Sequence, residues 1–191
     1  MHLLSRREIK DLVVSWITIS VCFAWAVSGG ILRLWDFAGA LPIALIAVAT
    51  GFIFHELAHR FTAIHFGAYA EYRAWPSGLI LALIMALFGI VFAAPGAVYI
   101  VGNINRKTYG MISLAGPLAN ITVALISLIL LPYVPFSLKM LLLFIMRVNV
   151  FLALFNLLPV FPLDGAKVFV WDKRVWALTF FPLLIFYLLI F

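Results

Sequence analysis

Apolar residues fall in long runs along this chain, separated by short polar or proline-containing turns. A run of about 18 or more such residues is long enough to cross a bilayer. The first, Leu12–Leu32, follows a basic leader of Arg6, Arg7 and Lys10. It is too long for the apolar core of a signal peptide and lacks a small-x-small cleavage site, so it is expected to be retained. The second begins near Leu41 and runs through His55 to Phe66, and later runs occupy Gly110–Leu131, Ser137–Leu158 and Arg174–Phe191. Gly78–Val101 breaks the pattern. Its first part, Gly78–Phe92, is apolar but short, and Gly89, Pro95 and Gly96 interrupt the whole. That predicts either a sixth span or a re-entrant helix returning as an extended segment, Phe92–Val101.

Charge placement decides between the two. With a cytoplasmic N-terminus and no crossing at Gly78–Val101, Arg6, Arg7, Lys10, Arg60, Arg73, Arg106, Lys107, Lys167, Lys173 and Arg174 share the inner side. The outer side then holds only Arg33 and Lys139, with Arg147 inside a span. One extra crossing would move five of the inner cations outside and erase this bias, so the positive-inside tendency favours five crossings and one re-entrant element. The expected fold class is an all-α polytopic membrane protein with five to six transmembrane helices.

Composition agrees and excludes several classes. Of the 191 residues, 66% are hydrophobic and 10% charged, with mean hydropathy +1.20. Soluble domains carry roughly 25% charged residues, so this chain cannot cover a surface facing water. The net charge of +6 is dispersed between apolar runs, without the basic stripe and aromatic platforms of a nucleic-acid binder. A lone Cys22 forms no internal disulfide. Residues 1–191 are expected to form one membrane-embedded domain, with a functional core at about 41–170 and no soluble accessory domain.

The chemistry concentrates in His55-Glu56-Leu57-Ala58-His59. On a helix, positions i and i+4 lie about 40° apart and one turn along, so both imidazoles can reach one metal ion. Glu56, beside the first, can act as general base on a polarised water. Ionisable groups within an apolar helix are costly and by default mark function. Two histidines leave a catalytic zinc site incomplete, because three protein ligands and one open position are needed. His65 stands at the six-residue offset of another protease class, but Thr62 replaces the glycine that geometry requires, and Glu71 falls in a polar connection. Asp164, in Asn156-Leu-Leu-Pro159-Val-Phe-Pro162-Leu-Asp164-Gly165, is the better third ligand. Alone it could equally cap a helix starting near Gly165.

Taken together these motifs resemble the site-2 protease family of intramembrane zinc metalloproteases. The pattern H-E-x-x-H-x-x-x-A-x-x-x-G is met by His55, Glu56, His59, Ala63 and Gly67, and the asparagine–proline run ending L-D-G by Asn156, Pro159, Pro162, Leu163, Asp164 and Gly165. Between them, Gly116, Pro117 and Asn120 resemble the family's small-residue A-G-P helix; on their own, Gly116 and Asn120 read as a close-packing spot with an interhelical hydrogen bond. The resemblance implies one zinc per chain on His55, His59 and Asp164, Glu56 as the water-activating base, and Asn156 near the metal holding substrate or oxyanion. It further implies cleavage of a transmembrane protein or peptide in or near its membrane helix. The apolar insertion Gly78–Phe92 departs from the family, where a mostly polar, strand-rich segment lies. Charge places the N-terminus and metal site toward the cytoplasmic side of a cell membrane. Two other classes stay open: a membrane metalloprotease with a glutamate as third ligand, and a non-catalytic metal-binding, transport or scaffold protein. Oligomeric state and metal identity are not encoded, since histidine and carboxylate suit several divalent ions.

Overall fold

Ser5 starts the first helix by accepting the Glu8 backbone N–H on its hydroxyl, satisfying one of the donors a helix N-terminus leaves unpaired. From there α1 runs Arg6–Ser28, so the basic leader is helical rather than flanking. In the computed structural model, which describes residues 4–29, 34–91 and 95–190, helix α2 (Leu34–Val48) follows. A π-helical turn, Ala49–Ile53, joins it without a break to α3 (Phe54–His65). Positions 30–32 of the first predicted span, Arg33, positions 92–94 of the return segment and Phe191 lie outside the described residues.

Helix α3 stops at Gly67, whose φ of +78° is a left-handed conformation that costs glycine little. The chain then enters strand β1 (Tyr69–Ala74), continues into α4 (Pro76–Leu87), and returns as β2 (Gly96–Val101). The strands pair antiparallel from Tyr69↔Val101 to Ala74↔Gly96. The element expected to re-enter is therefore a two-stranded hairpin with a helix inserted at its tip. Its 12 helical residues span about 18 Å, against a hydrocarbon core of about 30 Å; α4 is too short to cross. Strand β1 was not expected, because the Gly67–Ser77 stretch reads only as a polar connection.

Helices α5 (Arg106–Leu130) and α6 (Phe136–Asn156) form an antiparallel pair, followed by short α7 (Asp164–Trp171) and α8 (Lys173–Ile190). Among the described residues, five segments are long and apolar enough to cross a membrane: Arg6–Ser28, Asp36–His65, Arg106–Leu130, Phe136–Asn156 and Lys173–Ile190. The chain is an all-α polytopic membrane protein, with 77% of its described residues helical.

One apolar core joins α1, α2 and α6 around Ile19, Phe23, Val48, Phe52, Val148 and Leu152. A second joins α5, α6 and α8 around Ala124, Met146, Val150 and Leu183. Polar bonds gather one end of the bundle: the Ser5 hydroxyl donates to Glu71 Oε1 at 2.5 Å, and the Arg106 guanidinium donates to the Val170 carbonyl. The starts of α1 and α5 and the end of α7 thus sit at the same end as the hairpin. There a buried ion pair, Arg60 Nε to Glu8 Oε1 at 2.9 Å, ties α3 to α1. The same oxygen also accepts the Tyr72 backbone N–H at 3.1 Å.

Candidate metal centre

His55, Glu56 and His59 are all buried on α3. The expected helical geometry holds: the two imidazoles stand edge-to-face, ring centroids 4.5 Å apart. Asp164 reaches them from the first residue of α7, where Leu163 rather than Asp164 is the capping residue. Gly165 makes this approach possible, because a Cβ there would lie 2.0 Å from the Leu157 carbonyl oxygen. Backbone atoms cannot yield as a side-chain tip can, so only glycine lets α7 start this close to the end of α6.

The three donor atoms converge. His59 Nε2 lies 2.9 Å from His55 Nε2, and Asp164 Oδ2 lies 3.2 and 3.0 Å from His55 and His59 Nε2. One ligand atom from each of the three residues lies within 4.8 Å of the others. Neither His65 nor Glu71 belongs to this group: His65 is exposed at the end of α3 against Phe66, and Glu71 bonds Ser5, Tyr69 and Arg73 on β1.

Hydrogen bonds on the far side of each ring fix its tautomer. His55 Nδ1 donates to Asn120 Oδ1 at 2.6 Å, and His59 Nδ1 donates to the Ile112 carbonyl at 2.7 Å. The Asn120 orientation is forced, because its Nδ2 faces the Gly51 carbonyl at 2.7 Å, which can only accept. With both protons on Nδ1, each Nε2 presents a lone pair, and two lone pairs 2.9 Å apart repel unless a cation lies between them. This donor set fits a divalent metal: two neutral imidazoles and one carboxylate, with spacings close to the roughly 3.3 Å edge of a tetrahedron built on ~2.0–2.1 Å zinc bonds. The Lys167 ammonium, which donates to Asp164 Oδ1 at 3.1 Å, stabilises the ionised form of that carboxylate against the cost of its burial.

Residues that read as packing turn out to support this centre. Gly116 lets α5 approach the rings, since a Cβ there would lie 2.3 Å from His59 Nε2 and 2.6 Å from His55 Nε2. Asn120 extends the support outward, donating to Asn149 Oδ1 at 3.0 Å, while Asn149 donates to Thr50 Oγ1 at 3.2 Å within the π-helical turn. An interhelical hydrogen bond was the right chemistry for Asn120; its partner, the first histidine of the motif, was the missing information.

A cavity of about 120 Å³ opens beside the cluster, and Glu56, Asn156, Lys167, Tyr109 and strand β2 line it. Asn156 is half-buried at the end of α6 and donates its amide to the Leu152 carbonyl of its own helix at 3.1 Å. It shares the cavity with Glu56 rather than touching the donor cluster.

Two curated relatives match. "Putative zinc metalloprotease MJ0611" of Methanocaldococcus jannaschii is 44% identical, over 94% of this chain and 92% of its own length. "Putative zinc metalloprotease YwhC" of Bacillus subtilis is 31% identical, over 67% of this chain and 68% of its own. No protein-family profile matches the chain, and no solved structure does.

Proposed function

The chain belongs to the zinc metalloprotease family of these two relatives, and on that premise we propose that it is an intramembrane endopeptidase of the site-2 type. It cuts a peptide bond in or near the transmembrane helix of a membrane-protein substrate. The observation that carries this reading is the cluster of His55, His59 and Asp164 donors beside Glu56, set among helices of membrane-spanning length.

His55, His59 and Asp164 would hold one zinc ion, which would supply Lewis acidity for the scissile carbonyl and the attacking water. Glu56 takes the proton from that water and delivers it to the leaving amine. Asn156, which lines the same cavity, orients the substrate backbone. The cavity is too narrow for a helix about 10 Å across, so the substrate must unwind before its carbonyl is presented. Strand β2 is an edge strand of a two-stranded sheet, and its unpaired backbone groups offer the unwound segment hydrogen bonds.

The positive-inside tendency puts the end of the bundle bearing Arg6, Arg7, Arg106 and Lys173 in the cytoplasm, and the metal centre nearer that face. Single cysteines replacing Lys107 and Lys139 should then react with impermeant thiol reagents from the inner and outer side respectively; the reverse would overturn this placement.

The catalytic test uses purified protein in proteoliposomes with a transmembrane peptide substrate. Glu56→Gln should keep its zinc and lose at least a hundredfold in cleavage. Undiminished cleavage by that variant would defeat the proposal. Helix-breaking residues near the cleaved bond should raise the rate, and equal cleavage of a strongly helical substrate would defeat the unwinding step.

A further inference from the structure

Lys167 sits one turn after Asp164 on α7, and its Nζ donates to Asp164 Oδ1 at 3.1 Å. The two carboxylate oxygens are thereby divided. Oδ2 faces both histidine Nε2 atoms, whereas Oδ1 is held by the ammonium. Lys167 is mostly buried, lies 5.9 Å from the centre of the Tyr109 ring, and borders the same cavity as Glu56. Short α7 is itself fixed: Gly165 abuts the Leu157 backbone, Trp171 covers Gly110, and the Arg106 guanidinium binds the Val170 carbonyl.

A solvated i,i+3 ion pair contributes little to stability and would need no such enclosure. Carboxylates ligate metals through one oxygen or two. A hydrolytic zinc site needs three protein ligand atoms and an open position; a second oxygen from Asp164 would fill that position. Resting on the metal-centre reading above, we propose that Lys167 is a positioning residue that confines Asp164 to one-oxygen ligation, keeping the fourth position available to water and substrate. An ammonium on Oδ1 does this by occupying its lone pairs and by stabilising the charge left on that oxygen.

The test is cobalt substitution of the purified full chain, comparing the parent with Lys167→Met and Lys167→Arg. Four-coordinate cobalt absorbs visible light several-fold more strongly than five-coordinate cobalt. The parent should give the intense spectrum, Lys167→Met a several-fold weaker one with cobalt still bound, and Lys167→Arg the parental one. Cleavage should follow: kcat falls about 10–100-fold in Lys167→Met, as for other residues that hold a metal ligand, with KM within about twofold and recovery in Lys167→Arg. A parental spectrum and kcat in Lys167→Met would overturn the proposal, as would equal loss of cobalt by both variants. If the parent itself binds no cobalt, the metal-centre reading fails rather than the role of Lys167.

Discussion

Replacing Gly116 by alanine adds one methyl where α5 faces the histidine rings of α3. That methyl would lie 2.3 Å from His59 Nε2, 2.6 Å from His55 Nε2 and 2.6 Å from His59 Cε1, roughly 1 Å inside ordinary van der Waals separation. The rings cannot rotate away freely, because their Nδ1 atoms are bonded to Asn120 and Ile112, which lie on the same helix as Gly116. The two helices must therefore separate, or both bonds must break. Overpacking of this kind costs about 1–3 kcal/mol, while exchanging glycine for alanine inside a helix returns about 1 kcal/mol. The variant should stay folded. Metal sites tolerate ligand displacements of only about 0.2 Å, so zinc affinity should fall by about 100-fold or more, equivalent to about 2.7 kcal/mol. The assay is zinc retention against a graded chelator in detergent-purified protein. Gly39→Ala is the control, since nothing lies within 4 Å of its added methyl; it should keep parental zinc affinity. Parental affinity in Gly116→Ala would refute the close approach of α5 to the ligand pair.

Asn120→Ala removes the acceptor that orients His55 and should lower metal affinity about 10–100-fold, read by the same chelator titration. Arg60→Met strands the buried Glu8 carboxylate and should destabilise the fold by about 3–5 kcal/mol, whereas Glu8→Leu combined with Arg60→Met should recover most of it; a double-mutant cycle of unfolding in detergent measures the coupling. The Ser5 and Tyr69 hydroxyls hold the Glu71 carboxyl below its usual range. Its folded pKa is thus lower than its unfolded one, so its contribution is complete above the unfolded value of about 4.3 and is lost as pH falls through the folded one. Amide exchange at residues 5–10 and 69–74, corrected for intrinsic rates, should accelerate below about pH 4 in the parent and change less in Glu71→Gln.

The membrane-spanning helices could be read from hydropathy because a bilayer imposes one length on every span. Their starts could not: Arg6–Leu12 is helical through its Ser5 cap and the Glu8 ion pair, neither of which a hydropathy window registers. The motif histidines were legible because helical periodicity alone places them together. Asp164 needed more, since carboxylates at helix starts are common; what distinguishes it is Gly165, whose close backbone neighbours exist only in three dimensions. Strand β1 was hidden because its partner lies beyond a 12-residue helix, and pairing across such an insertion leaves no local signature. The π-helical turn was equally silent. Asn120 was legible as an interhelical hydrogen-bonding residue but not as the partner of His55, and Lys167 carried only a faint signal, one turn after Asp164 on the same helix.

The central claim is that His55, His59 and Asp164 together hold one zinc ion. Metal content per chain, measured after gentle chelator-free purification of the parent, Asp164→Ala and His65→Ala, tests it most directly. About one zinc is expected in the parent and in His65→Ala, since a catalytic site uses three protein ligands, and little or none in Asp164→Ala. Zinc retained in full by Asp164→Ala, or absent from the parent, would contradict it.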